Sequence, residues 1–129
     1  MVKNNFKILG LISIFMILIN ICIGQKCECL AKDAIKHNEE FCKVTGTVVD
    51  IFVANNKKGK PTFLNIGDKF PNQDLKVMIW ESDLKNFSKS LDSLYQGKTI
   101  AVYGLIKIFN DKPSITIRKE SDIEILKSK

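Results

Sequence analysis

The sequence predicts a mostly β fold: a five-stranded barrel in Greek-key order, with a helix between strands three and four and a short helix before strand one. Alternating apolar and polar residues mark strand-length segments along most of the chain. Clusters rich in Asn, Gly, Pro and Lys separate these segments, as turns require. After residue 24, apolar residues fall at helical spacing in two short segments, which predict the helices.

Residues 1–24 have the composition of an export signal. Lys3 and Lys7 precede an apolar run of 16 residues, Ile8–Ile23. A charged segment followed by such a run is typical of a secretory signal peptide. We expect cleavage after Gly24, because residues of small or medium size occupy the positions before the cut.

Two other interpretations of this segment stay open. An uncleaved anchor would need about 20 apolar residues to span the membrane, and the run has 16. A lipoprotein would be modified at Cys22, but the bulky Ile21 before it disfavours that. The prediction is therefore an exported protein, periplasmic or secreted, with no membrane contact after cleavage.

Removal of the signal leaves 105 residues, which is one domain's worth. We expect a cysteine-containing segment with a short helix over residues 25–40 and a barrel domain over residues 41–129. The remaining chain carries 18 basic and 14 acidic side chains, a formal charge of +4. That charge favours the approach of a polyanion, and it is equally compatible with solubility alone.

Three cysteines follow the signal: Cys27, Cys29 and Cys42. An oxidising compartment favours a disulfide, and Cys27 and Cys29 are too close in sequence to pair easily. We expect Cys42 to pair with one of them, closing a loop of about 14 residues and contributing roughly 3 kcal/mol. These cysteines and His37 could also bind zinc. Their spacing matches no familiar zinc motif, so no metal is expected.

A short helix and a long strand come next. Leu30 to Asn38 has apolar residues at helical spacing, and Phe41 to Val53 alternates β-branched residues with polar ones. Gly46 lies on the apolar face of this first strand, where a barrel needs a sharp coil or a close backbone approach. Residues 102–106 (VYGLI) resemble residues 44–48 (VTGTV), with a glycine at the centre of each. We therefore expect strands one and four to satisfy the same steric requirement.

The other elements are bounded by turn residues. Residues 55–61 separate strand one from strand two (Thr62–Ile66), and residues 67–74 separate strand two from strand three (Leu75–Trp80). The helix predicted next is capped by Ser82 or Asp83 and ends at Gly97. Its apolar residues are Leu84, Phe87, Leu91 and Leu94. Strand four spans Lys98–Phe109, a turn follows at residues 110–112, and strand five begins at Ser114, with Ile123 and Ile125 extending the sheet or re-entering it.

From Phe41 to about Leu126 the chain resembles the OB-fold (oligonucleotide/oligosaccharide-binding) nucleic-acid-binding superfamily. Three segments are similar to the small bacterial anticodon-binding-like OB domains: residues 46–49, 59–67 and 77–80. Some of those domains are exported or occur beside thermonuclease-type nuclease domains. The resemblance is less specific for ligand than for fold, because OB barrels also bind oligosaccharides and other proteins.

The resemblance implies that a ligand crosses the outer face of strands two and three, between two loops. The residues it implies at this surface are Lys57, Lys58, Lys60, Phe63, Asn65, Lys76, Met78, Trp80, Phe109 and Lys112. The alternation also places Phe63 and Trp80 out of phase with Leu64 and Val77, so burial of one set exposes the other. Lysines that follow phosphates and aromatic rings that stack on bases form single-strand binding sites. Each residue also has an ordinary structural interpretation, in the core or in a solvated turn.

We therefore expect a non-catalytic exported module that binds single-stranded DNA or RNA as a monomer, without a cofactor, with a nuclease or an envelope protein as a further partner. The alternative is a protein- or oligosaccharide-binding adaptor of the same fold. No enzyme is expected. The sequence has a single histidine and shows no nucleophile elbow, phosphate-binding glycine loop or metal-binding histidine pair.

Overall fold

The computed structural model describes residues 26–128, so the predicted signal and its cleavage site lie outside the described residues. Its eight strands are β1 (Cys27–Leu30), β2 (Phe41–Val53), β3 (Thr62–Ile66), β4 (Leu75–Ile79), β5 (Thr99–Leu105), β6 (Lys107–Phe109), β7 (Lys112–Thr116) and β8 (Ile123–Ile125). One α-helix, α1 (Leu91–Tyr95), and 3-10 helices at Ala31–Lys36, Glu81–Asn86 and Glu120–Asp122 connect them. Between residues 26 and 128, no helix is long and apolar enough to cross a membrane.

β2 organises the sheet because it pairs with three strands. Its first half, from Phe41 to Thr47, pairs antiparallel with β5 on one side and parallel with β1 on the other. Its second half, from Val48 to Val53, pairs antiparallel with β3. The register shifts between Val48 and Asp50. Such a bulge bends a strand, and here it lies where β2 passes from one set of partners to the next.

The remaining pairings bring the ends of the sheet close together. β3 pairs antiparallel with β4, and β4 pairs parallel with β7. The hydrogen-bonded order is β6-β7-β4-β3-β2-β5-β8. β5 and β6 are separated by Ile106 alone. A bend in the chain therefore joins β6, at one end of this order, to β5, the strand next to the other end. Among the described strands no ladder joins β5 to β7, and the sheet is not closed by hydrogen bonds.

The core is formed by the inner faces of these strands and by the helices. Leu64 on β3 and Val77 and Ile79 on β4 are fully buried there, as their alternation predicts. Ala31 and Ala34 of the first 3-10 helix lie in the same core. Residues 27–36 therefore pack against the main sheet through both backbone pairing and side-chain burial.

Two glycines allow close packing between strands. A Cβ atom at Gly46 would overlap the side chain of Ile66, and one at Gly104 would overlap Ile115. These positions are the centres of the two similar segments in the sequence. Their shared motif reflects one steric requirement, the approach of a branched side chain to a bare backbone.

The N-terminal cysteine segment forms a strand that the sequence analysis did not predict. β1 places Cys27 directly beside Cys42 in the parallel register, and the two form a disulfide with a Cα–Cα distance of 4.6 Å. Of the two pairings left open, this one is present. Cys29, half-buried, is the free cysteine among the described residues.

The predicted fourth strand is two strands separated by a bend. The pairing of β5 with β2 ends at Leu105, opposite Phe41. The next residue, Ile106, is buried, and its backbone N–H and C=O bond to the chain before β2, at Glu40 and Glu39. β6 then turns toward β7. The alternation of the sequence continues through Ile106, so it gave no signal of this change of partner.

Both predicted helical segments contain shorter helices than expected. The first is a 3-10 helix, and the second is a 3-10 helix followed by α1. Between β4 and β5, the segment predicted as one helix is interrupted at Ser88, whose backbone N–H and side-chain hydroxyl both donate to Glu120 at 2.8 Å. The α-helix begins later, with Ser90 as its cap in place of Ser82 or Asp83. The N-terminal helix, predicted over Leu30 to Asn38, spans Ala31–Lys36, because Leu30 belongs to β1 and is exposed.

Candidate nucleic-acid interface

Two rows of paired residues form the floor of a groove on the outer face of the sheet. In the first row, Phe63 on β3 lies opposite Met78 on β4, which lies opposite Thr116 on β7. Paired residues on adjacent strands project from the same face, so these side chains form one continuous surface.

The second row lies one step farther along the strands. Lys76 on β4 pairs with Ser114 on β7, and Ser114 pairs with Lys107 on β6. With Lys57, Lys58, Pro61, Trp80, Leu105 and Phe109, the two rows line a groove of about 500 Å³. The rows bring lysine and apolar side chains together across four strands, β3, β4, β7 and β6.

Trp80 borders the groove just beyond the end of β4, and the loop between β2 and β3 packs on its ring. Gly59 in this loop has a φ of +78°, and a Cβ atom there would lie 2.9 Å from Cε3 of Trp80. The backbone N–H of Glu81 donates to the carbonyl of Gly59 at 3.3 Å. The indole position is therefore linked to the conformation of the loop that carries Lys57 and Lys58.

The Phe63 ring lies close to two ammonium groups. Nζ of Lys76 is 4.6 Å from the ring centroid, and Nζ of Lys57 is 5.4 Å from it. Both distances are within the range of a cation–π interaction. Phe63 is 8% exposed, so its outward-facing ring is largely covered by neighbouring side chains.

The electrostatics of the groove favour an anion. Burial lowers the pKa of Lys76, and the positive charge of Lys57 lowers it further. Four lysines line the groove, and none of its described lining residues is acidic. Lys107 has a carboxylate partner outside the groove, Glu39 at 3.2 Å. A bound phosphate would reduce the repulsion between Lys57 and Lys76, because opposite charge stabilises both ammonium groups.

Seven of the ten residues predicted for the interface lie in this groove: Lys57, Lys58, Phe63, Lys76, Met78, Trp80 and Phe109. Three lie outside its lining. Lys60 is exposed in the turn with a φ of +40°. Asn65 is buried and donates to Asp50 at 3.3 Å. Lys112 donates to the backbone carbonyl of Gln73 at 3.3 Å.

The groove also contains residues that the sequence analysis did not select: Pro61, Leu105, Lys107, Ser114 and Thr116. Ser114 and Thr116 alternate with the buried Ile115, so the period of two already placed them on the outer face of strand five. The missing information was the parallel pairing of β7 with β4, which sets that face beside Lys76 and Met78.

Comparison with solved structures shows the fold. The structure is similar to that of yeast Stn1 and Ten1, with a TM-score of 0.55 and 15% identity over 81% of this chain and 65% of that one. The fold is of the OB type. Partly open Greek-key barrels are typical of OB folds, and the incompletely closed sheet agrees with this. No protein-family model matches the sequence, and no curated protein matches it.

Other solved structures are similar at lower scores. The Stn1–Ten1 complex of S. pombe matches with a TM-score of 0.49 and 20% identity, over 68% of this chain and 59% of that one. The OB domain of MM0293 from Methanosarcina mazei matches with a TM-score of 0.48 and 22% identity, over 70% of this chain and 76% of that one. The chain thus spans just under two thirds of the yeast protein it matches and about three fifths of the S. pombe one.

Proposed function

We propose that this chain is an exported, non-catalytic OB-fold protein that binds single-stranded nucleic acid in the groove between β3, β4 and β7. In this proposal β2, β3, β4, β5 with β6, and β7 act as the five strands of a Greek-key barrel. The observation that carries it is the groove itself: four lysines and the aromatic residues Phe63, Trp80 and Phe109 without an acidic lining residue. Lysines bind phosphates, and aromatic faces stack on bases of any sequence.

The groove favours single strands over duplexes because its apolar components lie among its cations. Phe109 is 65% exposed and Leu105 is 44% exposed, and both line the groove together with Lys107 and Trp80. In a duplex the base faces are stacked on one another and do not reach such residues. In a single strand they are free to stack.

Export is supported by the N-terminal sequence and by the Cys27–Cys42 disulfide, since disulfides persist in oxidising compartments. The monomeric state and a nuclease partner stay predictions.

The non-catalytic part of the proposal is supported by the composition of the groove. Its lining contains no histidine, cysteine or carboxylate among the described residues, so the hydroxyls of Ser114 and Thr116 have no such base in the groove to activate them. The one histidine of the chain, His37, contacts the disulfide.

The experiment that tests the proposal is fluorescence anisotropy with an end-labelled oligonucleotide, as a single strand and as the matching duplex. We expect the single strand to bind more tightly, with an affinity that decreases as salt rises. Trp80→Ala should lower the affinity by about 5- to 150-fold, which corresponds to about 1–3 kcal/mol for one stacked base. Phe70→Ala is the control, because Phe70 is 69% exposed and does not line the groove. No binding at low salt would show the proposal to be wrong.

A further inference from the structure

A second cluster of reactive side chains includes the disulfide, and none of its residues lines the groove. One ligand atom from each of Cys27, His37, Glu40 and Cys42 lies within 4.8 Å of the others. Nδ1 of His37 is 3.7 Å from Sγ of Cys27 and 2.9 Å from Oε2 of Glu40. The imidazole nitrogen thus lies between a sulfur and a carboxylate oxygen.

We propose that the reduced protein binds one zinc ion through Cys27, Cys42, His37 and Glu40, so that the disulfide and the metal are alternative occupants of one position. Two thiolates, an imidazole nitrogen and a carboxylate oxygen are all zinc ligands, and four of them complete a tetrahedral site.

The geometry agrees with this ligand set. With Zn–S of about 2.3 Å and Zn–N of about 2.0–2.1 Å, a tetrahedral site separates sulfur from nitrogen by about 3.6 Å. The Cys27–His37 distance of 3.7 Å is close to this value. The same geometry needs about 3.4 Å between the His37 nitrogen and the Glu40 oxygen, and the two atoms are 2.9 Å apart. The Glu40 side chain is flexible and 52% exposed, so it can move outward to reach the longer distance.

Three backbone elements hold the ligands in place. Cys27 lies on β1 and Cys42 on β2, at paired positions of the parallel ladder. His37 is the C-cap of the 3-10 helix Ala31–Lys36, where its backbone N–H donates to Ala34 at 3.0 Å. After reduction, rotation of the cysteine side chains separates the sulfurs while this backbone pairing is kept. Exposure of 30% for the His37 side chain leaves a path for the ion.

The chemistry balances with a phosphine as the reductant. The phosphine transfers two electrons to the S–S bond, and water supplies two protons to the sulfurs and an oxygen to phosphorus, giving two thiols and a phosphine oxide. Zinc binding then releases the two thiol protons, since thiolates are the ligands. The test needs no nucleic acid, so it is independent of the groove.

The experiment is a cobalt titration of the purified Cys29→Ser protein, reduced with a phosphine under argon and compared with the same protein in its disulfide form. Replacing Cys29 removes the free thiol as a competing ligand. We expect one equivalent of Co²⁺ to give thiolate-to-cobalt charge transfer and tetrahedral visible bands in the reduced form alone. One equivalent of Zn²⁺ should abolish both.

Matched variants identify the ligands. His37→Ala and Glu40→Ala should each weaken binding by at least about tenfold, whereas Asp33→Ala, an exposed carboxylate in the preceding helix that lies outside the cluster, should leave it unchanged. As a second readout, zinc should raise the melting temperature of the reduced protein and not that of its His37→Ala variant. Absence of cobalt bands in the reduced protein, or equal binding by His37→Ala, overturns the proposal.

Discussion

The ammonium group of Lys76 lies 4.6 Å from the centroid of the Phe63 ring, one strand away. Lys76 is held there by its position on β4, two residues before Met78, which pairs with Phe63. Lys57 approaches the same ring from the loop. The two residues therefore join the cationic and aromatic components of the groove at one point. A phosphate bound there would contact the Lys76 ammonium group, while the largely covered Phe63 ring contributes a cation–π contact to that group.

The first prediction concerns pH. The pKa of Lys76 is lowered by burial and by Lys57, so the free protein loses this proton at a lower pH than an ordinary lysine does. A bound phosphate favours the charged form and raises the pKa again. Binding should therefore weaken as alkaline pH rises through the lowered pKa of the free protein. Anisotropy titrations across alkaline pH check this, and Lys76→Arg, which stays charged, should bind without that decline.

The second prediction concerns salt. Each phosphate contact to a single strand contributes about 0.7 to the slope of log K against log salt. The double variant Lys57→Ala/Lys76→Ala should therefore reduce the slope by about 1.4. Lys85→Ala/Lys89→Ala removes the same charge from exposed positions that do not line the groove. An equal loss of slope in both double variants would mean that net charge, and no particular site, binds the nucleic acid.

The third prediction compares alanine at Gly59 with alanine at Gly97, to separate the effect of backbone strain from the effect of moving the Trp80 ring. Gly59 and Gly97 have similar φ angles, +78° and +73°, so alanine at either position is strained by a comparable amount, about 1 kcal/mol. A Cβ atom at Gly59 would meet the Trp80 ring, while one at Gly97 has nothing within 4 Å. Gly97→Ala should lose about that much stability in urea, and Gly59→Ala at least as much, because its Cβ atom also displaces the Trp80 ring. Gly59→Ala alone should shift the tryptophan emission and weaken oligonucleotide binding, and a shift of the same size in Gly97→Ala would argue against the contact.

The fourth prediction concerns the disulfide. Cys27→Ala/Cys42→Ala opens a loop with a sequence separation of 15 and should lower the free energy of unfolding by roughly 3 kcal/mol. Cys29→Ala, which removes the half-buried free thiol, should have a much smaller effect. Urea unfolding under oxidising conditions measures both values. A similar loss in the two proteins would show that lost packing, and not loop closure, determines the change.

Local pattern predicted the parts of the fold that depend on neighbouring residues. The alternation over Phe41–Val53 and Thr62–Ile66 matches β2 and β3 in position and bounds. It also places Leu64 in the core and Phe63 on the groove side. These results follow from the period of two, which a strand imposes wherever it pairs. The expected exposure of Phe63 is wrong, because every residue of β3 is buried and Phe63 is 8% exposed.

The parts that depend on distant residues were missed. β1 exists because Cys27–Leu30 pairs with β2, and the bend at Ile106 exists because its backbone bonds to Glu39 and Glu40. The helix interruption at Ser88 is caused by Glu120, which is 32 residues away. In the groove, Lys107, Ser114 and Thr116 come from strands whose neighbours only the topology determines. None of these contacts leaves a mark on the local sequence pattern.

The most direct test of the groove is the intrinsic fluorescence of Trp80, the single tryptophan of the chain, titrated with an unlabelled oligonucleotide at low salt. We expect saturable quenching by a single strand, reversed when salt is added, because stacking on the indole depends on phosphate binding beside it. A neutral oligosaccharide should leave the emission unchanged. Emission that does not respond to the single strand, or that responds to the oligosaccharide independently of salt, would contradict it.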